Sequence, residues 1–366
     1  MFNIWNGARS RLRSLPRLHV VTILSIVFVS GSLLIFSSIA SETRLTSPQL
    51  NMGGLEGALK PDSVITMIVA PKSLGVPSQN GNSRRQMKFV FRSWANLDQV
   101  DFIIVSNDHE ILQLAKEFKL LCMEPPSSND VENLTYRSLL RLVDRTLPIK
   151  TDIVGFSNGD IMYDDSLVET AQAVQQYAAS NGWDNFVIEG RRTNIDVPSY
   201  ILNGKHNFQL QKRFDQGTLF QTDAQDYFVF NRGINIVWDC VPPFLLGGVY
   251  FDNWFSGLVV SRNDIQVVDA TETLKAYHLN HGKSRIVSHE NAASMINLMI
   301  GQDAKNYISR GFITDTPWKT KLFGERINIE RRETALNRGD QYARYAGCHA
   351  RGRPLVKKGE INRLNE

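Results

Sequence analysis

The sequence predicts an α/β protein: a mixed, mostly parallel sheet with helices on both faces, preceded by one apolar N-terminal helix. Three observations predict it. From residue 64 onward, short apolar runs of β type alternate with segments of helical period, the pattern of βα units in series. Several of those runs end in Asn, Asp, Gly or Arg, at the strand edge where open α/β sheets bind ligands. Ahead of them, residues 20–40 contain no charged side chain, and about 20 apolar residues suffice to cross a bilayer as a helix.

Arg9, Arg11, Arg13 and Arg17 precede the apolar run. Basic residues on that flank stay in the cytoplasm, so the expectation is a single-pass type II protein, with residues 1–19 as cytoplasmic tail and 20–40 as signal anchor. A cleaved signal peptide is the rival reading, because Ser-Ser-Ile-Ala-Ser at 37–41 offers small residues; the apolar run is longer than a usual signal core. The first 40 residues hold four of the 41 basic side chains and none of the 37 acidic ones, so the remainder carries 37 of each. That neutrality does not indicate a nucleic-acid-binding surface. Asn133-Leu134-Thr135 is a glycosylation sequon, in keeping with a secretory route. Cys122, Cys240 and Cys348 allow at most one intrachain disulfide, and no CxxC pair suggests structural zinc. Cys122, in Leu-Leu-Cys-Met, reads as a buried strand residue.

Residues 41–62 have no apolar period and are rich in Gly, Ser, Thr and Pro, which predicts a flexible stem. The first strand is 64–69, ended by Ala70-Pro71-Lys72. Met87, Val90, Phe91 and Trp94 then recur at helical spacing within 84–97. A second strand, 100–105, ends in Ser106-Asn107-Asp108; a helix at 111–118 and a third strand at 119–123 follow. The segment 131–147 predicts a helix with Leu134, Leu139, Leu140, Leu142 and Val143 on its apolar face. The strand at 152–156 empties into Ser157-Asn158-Gly159-Asp160. No GxGxxG or Walker A motif follows any of these strands, so no Gly-rich loop grips a phosphate.

Further on, 167–179 predicts a helix and 185–189 a strand running into Gly190-Arg191-Arg192. The polar stretch 196–223 reads as a long loop over the sheet edge, and 224–230 returns to strand. Gly247-Gly248 turns the chain into a helix at 253–260 with Asp252 at its N-terminus. A strand at 265–269 is followed by 273–278, which leads to His278-Leu279-Asn280-His281, and 290–299 predicts a helix. These elements bound one domain at 63–316. From 317 to 366 the chain has 12 basic and six acidic residues with few apolar ones, a basic extension either packed on the domain or solvated.

Several side chains carry chemistry. Asn158 and Asp160 present hard oxygens at a strand's C-terminal edge, which suits Mg²⁺ or Mn²⁺ completing its shell with waters and substrate phosphates. The plainer alternative is an Asn-Gly turn followed by an Asp-Asp-Ser helix cap. Arg191 and Arg192 could clamp a phosphate or pair with nearby acids. His278 and His281, three apart, are candidate metal ligands, and capping alone could account for Asp252.

Taken together, these pieces resemble the GT-A glycosyltransferases, in which a nucleotide-binding αβ half delivers a DxD-like motif to a divalent cation. More closely, the chain resembles a family of predicted glycosyltransferases sharing six segments in this order. Here they read Asn158-Gly-Asp160-Ile161, Gly190-Arg191-Arg192, Asp226-Tyr-Phe-Val-Phe230, Tyr250-Phe-Asp252-Asn-Trp254, Val267-Val-Asp269-Ala-Thr271 and His278-Leu-Asn-His281. The likeness covers roughly residues 64–298, and the type II topology resembles that of Golgi enzymes.

The resemblance implies a Rossmann-like GT-A fold and a metal-dependent transfer of sugar from a nucleotide-sugar donor to a glycan or glycoprotein acceptor, in a Golgi membrane with the domain lumenal. It implies Asp160 as a metal ligand, Asn158 where many relatives have a first Asp, and His278 or His281 as a further ligand, with His278 preferred. Asp108 would meet the nucleotide, and Arg191 and Arg192 the diphosphate or donor sugar. Asp252 would be the base of an inverting reaction, and Asp226 a second base or an acceptor-orienting group; a retaining outcome stays open. An alternative is an anchored binding protein that has lost turnover, motivated by Asn158, whose amide brings no charge to a metal. A secreted hydrolase using Asp160 and Asp252 as its carboxylate pair is a third reading.

Overall fold

The protein is described from a computed structural model covering residues 55–74, 81–125, 135–145, 149–197, 216–280, 292–303, 306, 308 and 310–333. Residues 20–40, Asn133, His281 and Cys348 lie outside the described residues, and among the described helices none is long and apolar enough to cross a membrane.

Four strand–helix units come first, followed by two more strands. β1 (Ile65–Ala70), α1 (Gly81–Ala95), β2 (Val100–Val105), α2 (His109–Glu117), β3 (Leu121–Met123), α3 (Tyr136–Arg145), β4 (Ile153–Asn158), β5 (Ile161–Tyr163), α4 (Ser166–Ser180), β6 (Phe186–Gly190) and β7 (Thr193–Ile195) fall where the apolar periods put them, β5 and β7 excepted. They are followed by β8 (Thr218–Leu219), β9 (Tyr227–Asn231), α5 (Phe251–Val260), β10 (Gln266–Asp269), β11 (Ala276–Leu279), α6 (Ala292–Gln302), β12 (Trp318–Phe323) and β13 (Arg326–Arg331).

The central sheet runs β13-β12-β10-β6-β9-β4-β1-β2-β3. β1 is parallel to β2 and β4, β2 to β3, and β10 to β6 and β12. β9 is antiparallel to both β4 and β6, so it starts at the edge where they end. A smaller sheet, β5-β11-β7-β8, stands beside that edge. Alternate residues of each strand feed two apolar layers. Met67 and Val69 pack with Trp94, Ile111 and Leu167 from α1, α2 and α4. Ile68, Phe156 and Phe228 pack on the other face with Leu139 of α3 and Phe251 and Phe255 of α5. Both faces are therefore covered, as a mostly parallel sheet requires.

Two boundaries differ from expectation. The sheet does not stop at residue 316: β12 adds parallel to β10 and turns at Gly324, φ +62°, into antiparallel β13. α5 begins at Phe251, which puts Asp252 inside its first turn instead of ahead of it. Cys122 is a buried free thiol and Cys240 is disulfide-bonded.

Candidate active site

The site lies where β4 and β6 end and β9 begins. Ala70 is opposite Asn158 in the β1–β4 register, and the chain turns into β5 through Gly159 and Asp160. Gly159 is required there by close approach: a Cβ would stand 2.3 Å from Pro71 Cα and 2.7 Å from Pro71 N. Backbone against backbone cannot yield easily, so the Asn-Gly step is more than a generic turn. It pins Asp160 at the strand edge.

His278 reaches Asp160 through pairing of distant strands. β11 runs antiparallel to β5 with His278 opposite Ile161, which sets His278 Nε2 3.3 Å from Asp160 Oδ2. Asp160 is 46 % exposed on its side chain, while His278 is nearly buried. Two donors about 2.0–2.2 Å from one ion stand roughly 3 Å apart at right angles, so this pair fits a shared divalent cation of the borderline Mn²⁺ kind. Among the described residues no cluster of three His, Cys, Asp or Glu side chains forms, so water and phosphate oxygens would complete the shell.

Asn158 does not point its amide nitrogen at that position. Its Nδ2 donates to Asp226 Oδ1 at 2.9 Å, while its backbone N–H donates to the Asp226 carbonyl at 2.9 Å. Arg192 donates to the same carboxylate oxygen, and its Nε to Asn194 Oδ1 at 3.0 Å. The guanidinium also lies over the Phe220 ring at 3.9 Å, a cation–π contact. Burial pushes Asp226 up and the Arg192 charge pulls it back. Asp226 is 2 % exposed with Oδ2 lacking a hydrogen-bond partner, which makes it an orienting group more readily than a base open to substrate.

Of the two arginines, Arg192 therefore takes the ion-pairing alternative. Arg191 is held by its backbone N–H on Thr271 Oγ1 at 3.1 Å and by Nη1 on the Phe220 carbonyl at 3.3 Å. Asp108 is the N-cap of α2: Oδ1 accepts from Glu110 N at 2.9 Å, and Oδ2 from Ser73 Oγ at 2.6 Å and Leu74 N at 2.9 Å. Those hydrogen bonds outweigh burial and hold its pKa below the usual range. Its carboxylate ties the turn after β2 to the turn after β1.

Asp252 sits in the first turn of α5, entered through Tyr250 at φ +94°. Burial pushes its carboxyl up to about 7; the Asn253 N–H and its own N–H pull down, and the charges of Asp226 and Asp223 push up. A carboxylate there also satisfies the helix's N-terminal dipole, so capping and chemistry coexist. A pKa near 7 is what a general base needs at neutral pH.

Two residues were not singled out from sequence. Tyr136 opens α3, and its phenol is pushed up by burial first and then by the charges of Asp252, Asp226 and Asp160. Glu189, at the end of β6, is fully buried beneath α5 and accepts from Ser256 Oγ at 2.9 Å. The signal for Glu189 was present, an acid closing the apolar run Phe-Val-Ile. For Tyr136 it was not.

No family model matches the sequence, and no curated protein matches it. Among solved structures, the chain is similar to S. aureus TarS in complex with UDP-GlcNAc, at 12 % identity over 60 % of this chain and 59 % of that one, with a TM-score of 0.36. It is similar at 13 % identity to glucosyl-3-phosphoglycerate synthase from Mycobacterium tuberculosis in complex with Mn²⁺, UDP and phosphoglyceric acid, over 73 % and 86 % of the two chains and with a TM-score of 0.36. A CMP:2-keto-3-deoxy-manno-octonic acid synthetase with CTP matches at 14 % identity over 57 % and 90 %, with a TM-score of 0.31. Likeness of this degree leaves the reaction to be read from the site.

Proposed function

We propose that the protein is a metal-dependent glycosyltransferase that moves a sugar from a nucleotide-sugar to a hydroxyl of a glycan or glycoprotein. One observation carries the reading: a half-exposed carboxylate set against an imidazole, and a second carboxylate raised to about 7, share the edge where β4 and β6 end. Transfer asks for that division of labour. Asp252 takes the proton from the acceptor O–H as its oxygen bonds to the anomeric carbon, and the nucleoside diphosphate leaves with the electron pair of the broken bond. Asp160 and His278 would hold Mn²⁺ or Mg²⁺, which supplies positive charge to the departing diphosphate. Asp226, fixed by Arg192 and Asn158, orients the groups between them.

A second reading, a fold-retaining binding protein without turnover, is motivated by Asn158, whose amide oxygen brings no charge to a metal where a carboxylate would. Placement in a Golgi membrane as a type II protein is part of the proposal, and what supports it is the sequence of residues 1–40.

The test is donor hydrolysis by the full chain over a panel of UDP-, GDP- and CMP-sugars, with and without Mn²⁺. Metal-stimulated release of the nucleotide product from one donor is expected. Binding of a nucleotide-sugar without turnover, with or without an acceptor mixture, would favour the second reading.

A further inference from the structure

Tyr136 has no role in the reading above, yet its ring is packed tightly between two elements of the site. It stacks on Phe251 with centroids 3.7 Å apart and planes 7° from parallel, and meets Phe156 edge-on at 5.2 Å. Phe251 immediately precedes Asp252, and Phe156 lies two residues before Asn158. Its backbone is fixed too, with Tyr136 N donating to Phe244 O at 2.9 Å and Thr135 bridging Leu245. Aromatic packing therefore wedges this one side chain between the arm carrying Asp160 and the arm carrying Asp252. At 6 % exposure the residue is buried, and the charges of Asp252, Asp226 and Asp160 act on its hydroxyl.

A buried phenol stays protonated, so it can serve as a donor at any physiological pH. Carboxylates accept only, and the Arg192 fork is already committed to Asp226 and Asn194. A sugar caught between a leaving diphosphate at Asp160 and a base at Asp252 offers oxygens that need a neutral donor on that floor.

We propose that Tyr136 contacts the substrate: its phenol O–H donates a hydrogen bond to an oxygen of the sugar carried by the nucleotide. This rests on the nucleotide-sugar reading. Tyr136→Phe removes one oxygen and keeps the ring that packs on Phe251 and Phe156. The experiment is calorimetric titration of the full chain, wild type and variant, in Mn²⁺, with each nucleotide-sugar of the panel and with the matching sugar-free nucleotide. The expected result is a nucleotide-sugar bound about 3–10-fold more weakly by the variant, the size of one neutral hydrogen bond, with the sugar-free nucleotide unchanged. Equal affinity of wild type and variant for the sugar nucleotide overturns the proposal, and so does an equal loss for both ligands. A wild-type chain that binds no panel member overturns the nucleotide-sugar reading itself.

Discussion

Replacing Glu189 by Gln should abolish a pH-dependent loss of stability that the buried acid imposes. Glu189 is 0 % exposed; Ser256 donates to Oε1, and Oε2 has no hydrogen-bond partner. Burial pushes the carboxyl up to about 8 from an ordinary 4.5, against the Ser256 hydrogen bond and with help from the charges of Asp269, Asp315 and Asp252. Between those values the unfolded chain has released the proton and the folded chain still holds it. Folding stability therefore falls as pH rises through that window, by about 1.4 kcal/mol per pH unit, and the loss of roughly 5 kcal/mol is complete above about pH 8. Gln keeps the volume and the acceptor for Ser256 and cannot ionise. Urea unfolding of wild type and Glu189→Gln at pH 5, 7 and 9 should show the variant gaining on the wild type by several kcal/mol across the series. A stability difference that stays flat from pH 5 to 9 would refute the claim that Glu189 is held protonated under α5.

Asp252→Asn should lower kcat by several orders of magnitude with donor affinity unchanged, and the wild-type rate should rise with pH through about 7, where the carboxyl ionises; pH–rate profiles of both check it. Asp160→Ala, at a half-exposed position, should remove Mn²⁺ stimulation and leave the unfolding free energy within about 0.5 kcal/mol of wild type. Gly190→Ala would drive a Cβ to 2.0 Å from the Tyr227 hydroxyl, which lacks a hydrogen-bond partner, and should destabilise by about 1–3 kcal/mol. Adding Tyr227→Phe should restore part of that loss; a double variant no better than the single would place the clash elsewhere.

Much of the scaffold was legible because it is local. The apolar periods of β1, β2, β4, β6 and β9 and of α1 to α4 locate those elements to within a few residues. Where the reading slipped, a local signal was outweighed by composition. Basic content from residue 317 onward suggested an extension, although Lys-Leu-Phe-Gly-Glu-Arg-Ile-Asn-Ile carries the alternation and two-residue Gly turn of a hairpin. Asp108 sits directly before a helix, so its N-cap geometry was readable as well as the nucleotide contact the resemblance implies. What could not be read is pairing. Asp160 and His278 are 118 positions apart and meet only because β11 runs antiparallel to β5 in one register.

The decisive non-local feature is the direction of β9. Had β9 joined the sheet parallel to β4 and β6, its N-terminal end would lie at the opposite edge, and Asp226 with it. Inserted antiparallel, it starts where they finish, which lets Asn158 reach the Asp226 carboxylate at 2.9 Å and Arg192 neutralise it from the end of β6. That ion pair carries a demand of its own. Asp226 is buried, so Arg192 cannot leave it to clamp a diphosphate without stranding a charge, a cost of about 3–5 kcal/mol. On the proposed transfer, charge compensation for the leaving group would then come from a cation held by Asp160 and His278.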